Sequence, residues 1–201
     1  MSKGRLEAFS DSVAAILITI MVLELHTPQG KSWDALREDV PVLLAYALSF
    51  VYLGIYWNNH HHMLAAVRRV SGAALWANLH LLFWLSLVPL TTAWMSENRF
   101  PPIPTAVYGI TLLAAAIAYY LLQTILLRVD GEQSMLRTAI GTDLKGKASP
   151  LRYCLGIGLS FVNPWAGIAV CVVVALMWLV PDRRVERTLT AAHEDPGQAS
   201  T

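Results

Sequence analysis

Charge is scarce in this sequence. Asp, Glu, Lys and Arg make up 14% of its 201 residues, about half the share of a soluble domain. No sign dominates either: fifteen Lys and Arg against fourteen Asp and Glu leave a formal charge of +1. Nothing there would draw in nucleic acid. Low hydrophobicity, the mark of a disordered chain, is also missing, since 55% of the residues are hydrophobic. The two cysteines, Cys154 and Cys171, lie in apolar stretches. They are too few for a disulfide framework or a zinc centre and read as small packing residues. A cleavable leader is a poor reading of the N-terminus, because Glu7 and Asp11 precede the apolar run Val13 to Leu23 and no small-residue cleavage site follows. What the chain has is apolar length, with mean hydropathy +0.47. It reads as an all-α integral membrane protein.

A bilayer core of ~30 Å takes about 20 apolar residues per helix. Such stretches run over 6–25, 40–60, 72–95 and 104–127, with a longer one from Ser149 to Pro181. Asn163-Pro164-Trp165 splits the last into 149–162 and 164–181. Six spans result, forming a single domain over 1–190 with a polar, disordered tail at 191–201. Pro28, Pro41, Pro101, Pro102, Pro104, Pro150 and Pro181 fall at span edges, whereas Pro89 falls inside the third span and predicts a kink. Six spans put the N-terminus, the 61–71 and 128–152 loops and the C-terminal tail on one side. That side holds Lys3, Arg5, Arg68, Arg69, Arg128, Arg137, Lys145, Lys147, Arg152, Arg183, Arg184 and Arg187, against Lys31, Arg37 and Arg99 on the other. The bias predicts that both termini are cytoplasmic. The six spans do not read as two copies of a three-span unit.

The first span is the unusual one. Spans two, four, five and six have no charged residue in their interiors, but crossing with span one brings Ser10, Asp11 and Glu24 toward the membrane. Ionisable groups there face protein or water, not lipid, so this helix belongs inside the assembly. Phe9, Ser12, Ile16, Thr19 and Leu23 follow one another at alternating spacings of three and four, with Ile20 alongside. They make one stripe. Asp11 sits roughly 140° around the helix from Ile16. Periodicity alone leaves two readings of the stripe, a helix-packing seam or a surface facing a symmetry axis.

Arg5-x-x-x-Phe9-Ser10-Asp11 resembles the signature of the transmembrane protein 175 family of potassium channels. Trp57-Asn58-Asn59-His60 followed by Met63-Leu64 resembles the segment ending that family's second helix. Asn78 with Leu87-Val88-Pro89-Leu90-Thr91 resembles the pattern of its third, Leu90 standing where Phe is usual. The likeness is close over the first three helices and rests on hydropathy and topology over the last three. It implies a homotetramer in a prokaryotic plasma membrane, with the first helix of each copy lining a central pore for monovalent cations. It also implies that no re-entrant carbonyl filter exists, and Gly156-Ile157-Gly158 is not one. The constriction carried over by the motif falls on Ile16, Thr19 and Leu23, the residues of the stripe. That agreement puts the pore above the seam.

Four Ile16 side chains at an axis would make a narrow apolar ring that closes by dewetting or passes a partly hydrated ion. Potassium sheds water more easily than sodium, so modest K+ preference follows. Thr19 hydroxyls would offer oxygens one turn on, and Leu23 a second ring ~10 Å beyond Ile16. Glu24 and His26 stand near the outer mouth, where Glu24 would concentrate cations. Arg5, Ser10 and Asp11, with His60, Asn78 and His80, read as a polar network fixing the first helix to its neighbours, not as ion contacts.

Other classes fit less well. A haem or metal site would need facing histidines at matched depth, yet only His80 is clearly inside a span and His60, His61 and His62 cluster at one end. No cofactor or metal is expected, only permeant K+. An enzyme could be drawn from Ser10, Asp11 and His60, but no Gly-framed serine or metal motif supports it. The runner-up is a proton-coupled or cation secondary transporter, with Asp11 as proton carrier, although internal repeats and broken helices are not evident.

Overall fold

The computed structural model describes residues 2–67, 69–131 and 144–179, excepting the side chains of 144–147. The expected tail at 191–201, the end of the sixth span and five of the basic residues counted above (Arg68, Arg137, Arg183, Arg184 and Arg187) lie outside the described residues, as do the side chains of Lys145 and Lys147. Among those described there is no strand. The helices are α1 (Lys3–Leu23), α2 (Trp33–Ala65), α3 (Gly72–Ser86), α4 (Val88–Glu97), α5 (Pro102–Asp130), α6 (Leu144–Ser160) and α7 (Pro164–Leu179). Four are long and apolar enough to cross a membrane when α3 and α4 are taken as one: α1, α2, α3–α4 and α5. At 16 residues α7 is shorter, about 24 Å of rise.

Helix ends follow local chemistry. Ser32 caps α2, its Oγ accepting the Ala35 N–H at 3.3 Å, and Asp34 follows in the first turn, where a negative charge suits the helix dipole. The helix therefore starts well before the apolar stretch expected at 40–60. Pro41 lies inside it, not at its edge. At the other end α2 runs to Ala65, so His61 and His62 are helical and not part of a loop. Pro150 likewise sits inside α6. The third span breaks at Leu87, between α3 and α4, with Pro89 in the first turn of α4. Pro89 has no N–H to give the preceding turn, which is the physical cause of the expected kink. Asn163 ends the α6–α7 turn, its Oδ1 accepting the Trp165 N–H at 3.0 Å.

Helix α5 is the centre of the fold, packed against α3, α4, α6 and α7. Its buried positions mix Gly109, Ala106, Ala115 and Ala118 with Leu112, Leu122 and Leu126. Small residues let neighbouring backbones approach closely, which drives helix association in lipid. Helix α1 instead sits to one side, on α2 with lesser contact to α3 and α4. It is held along Leu6, Ser10, Leu17 and Met21, which are its buried residues.

Candidate functional site

Two faces of α1 do different things. Opposite the buried row, Phe9, Ser12, Ile16, Thr19 and Leu23 are all exposed in the single chain. Ile16 is 55% and Leu23 81% exposed, and the flanking Ile20 39%. The stripe is therefore a continuous face that the chain's own helices leave uncovered. Its two hydroxyls both bond back to the preceding turn of α1. Ser12 Oγ donates to the Ala8 carbonyl at 2.7 Å and Thr19 Oγ1 to the Ile16 carbonyl at 2.8 Å. Each hydrogen is turned back into the helix, so each oxygen keeps its lone pairs for what lies outside.

The buried row meets a directed chain of hydrogen bonds. His60 Nε2 donates to Asn78 Oδ1 at 2.6 Å, Asn78 Nδ2 donates to Ser10 Oγ at 2.9 Å, and Ser10 Oγ donates to the Leu6 carbonyl at 2.9 Å. Every donor points the same way, from α2 through α3 to α1, so each bond polarises the next. Ser10, His60 and Asn78 are all buried, Asn78 completely. Beside this chain Asp11 Oδ1 accepts the indole N–H of Trp57 at 2.9 Å. The first helix is thus tied to α2 and α3 at adjacent residues through separate partners.

Two residues assigned to that network stand apart from it. Arg5 is exposed, and among the described residues nothing bonds it to the chain. His80 is also exposed and accepts the Trp84 indole N–H at 2.9 Å, a bond within α3. Two positions the sequence did not mark are engaged here. Lys3 Nζ donates to the Ala65 carbonyl at 3.1 Å, closing the end of α2, and it pairs with Glu7 at 3.8 Å. Glu97, at the end of α4, lies beside Glu24 and meets His26 Nδ1 at 3.5 Å. Neither carries a sequence signal beyond its charge. Trp57 is marked in the motif of the second helix but not placed in the network; its position three residues before His60, on the same face of α2, is the signal that could have put it there.

Residues 5–89 match the family described as endosomal/lysosomal potassium channel TMEM175. A protein from Chryseobacterium sp. strain P1-3, named as a potassium channel, is 53% identical over 189 residues, covering 94% of this chain and 98% of its own length. The chain belongs to the TMEM175 family. The crystal structure of a TMEM175 homologue from Chamaesiphon minutus, called a lysosomal potassium-selective channel homologue, superposes with a TM-score of 0.73. It is 31% identical and covers 90% of this chain and 97% of that one. The bovine relative, named as an endosomal/lysosomal proton channel, is 30% identical over 66% of this chain but only 31% of its own length. The TMEM175 fold is thus present, all-helical among the described residues, and its relatives are ion channels, not enzymes.

Proposed function

We infer that the chain is a modestly potassium-selective cation channel of a prokaryotic plasma membrane. Four copies assemble around an axis lined by α1, each with six spans, both termini in the cytoplasm and no re-entrant filter loop. The observation that carries this reading is the uncovered stripe of α1. A helix that holds Asp11 and Ser10 belongs within an assembly, and the one face it keeps free bears hydroxyl oxygens between apolar rings. Because α1 is helical from Lys3 to Leu23, its carbonyls are engaged in its own ladder. Side chains alone can therefore shape the constriction.

Ile16 forms the narrow ring, where a hydrated ion must shed part of its shell, and this step favours K+ over Na+. Thr19 lends oxygens to the dehydrating ion, Ile20 borders the path, and Leu23 forms the second ring. Glu24, exposed at the end of α1 beside Glu97, raises cation concentration at the mouth. Phe9 continues the stripe inward. Ser10, Asp11, His60 and Asn78 position α1 without touching the ion. The name of the bovine relative makes the proton a cation to test alongside K+ and Na+.

The test is flux through purified protein in liposomes. A channel passes K+ faster than Na+, with a rate that follows the gradient without saturating. Saturable uptake coupled to a proton gradient would favour the transporter, and no flux at any voltage would contradict both.

A further inference from the structure

A cavity of about 340 Å³ lies where the chain leaves α1, bounded by the first turns of α2, the end of α4 and the start of α7. Small-molecule sites run from roughly 300 to 1,000 Å³. Local chemistry shapes its wall. Two backbone bonds close α4, from Arg99 N–H to the Ser96 carbonyl at 3.1 Å and from Phe100 N–H to the Met95 carbonyl at 2.9 Å, the pairing of a Schellman turn. That turn carries the Phe100 ring inward, where it is buried. There it meets the Trp165 indole, centroids 4.7 Å apart. Asn163 Oδ1 fixes Trp165 at the start of α7, yet the indole stays 57% exposed. Pro41 and Val42 of α2 continue the apolar surface.

The rest of the lining is acidic. Glu38 and Asp39 of α2 and Glu97 of α4 face Arg99 as the one permanent cation, with His26 beside it. His26 is already engaged with Glu97. Glu97 also lines the adjoining cleft, together with Glu24. The carboxylates stand on different helices, and among the described residues no three Asp, Glu, His or Cys form a group fit for a metal ion. Their charge is spread around a space that also has an aromatic wall.

We propose that this cavity binds an organic amine with an apolar body, the body against Phe100 and Trp165 and the ammonium among Glu38, Asp39 and Glu97. An ammonium near an indole face is attracted to the ring. Its N–H groups also find carboxylate oxygens, which accept charge-assisted bonds. Neither a neutral molecule of the same shape nor an anion gains both. The site is separate from the α1 stripe, but Leu25 and His26 bring the chain just past Leu23 into its lining. An occupant therefore braces the end of α1 against α2 and α4, beside the Leu23 ring, and slows K+ flux. That effect on flux rests on the channel reading above, whereas binding does not.

The experiment titrates the purified full chain in detergent calorimetrically with phenethylamine, and with phenethyl alcohol, which has the same body without the charge. The amine should bind more tightly by about tenfold or more. The double change Glu38→Gln and Asp39→Asn, which keeps side-chain shape, should remove about tenfold of that affinity. Trp165→Leu should weaken amine binding by about two- to fivefold, and Trp165→Phe, which keeps a ring, by less. No binding of the amine, equal affinity for amine and alcohol, or indifference to the double change would each overturn the proposal. In liposomes, phenethylamine on both sides should slow K+ flux through the native chain and do so less through the double variant. Equal slowing in both would overturn the link to conduction. Absence of K+ flux in the native chain without amine would instead overturn the channel reading and leave the binding result standing.

Discussion

Asn78 uses both ends of its amide, accepting from His60 and donating to Ser10, in a site with no exposure. Asn78→Ala would leave the buried His60 Nε2 without an acceptor, at about 1–3 kcal/mol, and Ser10 with only its bond to the Leu6 carbonyl. The assembled protein should melt several degrees lower in a thermal shift measurement, and an unchanged midpoint would contradict the chain's structural role. Asp11→Ala should lower the yield of intact assembly before it alters ion preference. Normal assemblies with changed selectivity would place Asp11 in the ion path. At Thr19 the expectation is reversed. Thr19→Val keeps the shape and removes the outward oxygen, so assembly should be normal while K+ preference over Na+ falls by a factor of roughly two to ten, the worth of ~0.5–1.5 kcal/mol of polar contact. The polar members of the network were legible because they interrupt apolar helices. Their wiring was not, because bond direction depends on which atoms meet. Hence Arg5 and His80 share the neighbourhood on paper but not the bonds.

Among the elements, the α6–α7 hairpin depends on the absence of side chains. A Cβ at Gly167 would collide with Ser160 Oγ and stand 2.9 Å from the Gly156 carbonyl oxygen, which is backbone and cannot swing away. Gly167→Ala should therefore cost about 1–3 kcal/mol, seen as a lower melting midpoint or poor yield of folded protein in detergent. Gly158, whose added Cβ would meet nothing within 4 Å, should accept alanine with little change. The break at Leu87 was legible from Pro89, since a missing N–H acts locally whatever the packing. The extent of α2 was not. Its first turns, Trp33-Asp34-Ala35-Leu36-Arg37-Glu38-Asp39, are too polar to register in hydropathy, and it is the Ser32 cap that starts the helix there. The α1 stripe was legible because helical period fixes which residues share a face. Which face stays uncovered depends on α2 and α3, and only the packed chain reveals it.

For the whole molecule, the class was written in composition. A chain with so little charge and so much apolar length must place it in lipid, and the family signature narrowed that class to one fold. Assembly is the level at which a single chain falls short, because an axis exists only between copies. Native mass measurement should find four chains per particle, and a conducting monomer would contradict the arrangement. The central claim is that the α1 stripe is the selective constriction. Its most direct test is K+ against Na+ flux through purified Ile16→Asn in liposomes, beside the native chain. Native flux should favour K+ and the mutant should conduct with this preference lost, because an amide ring wets where an isoleucine ring does not. A mutant that conducts with unchanged preference would contradict it and move the filter away from α1.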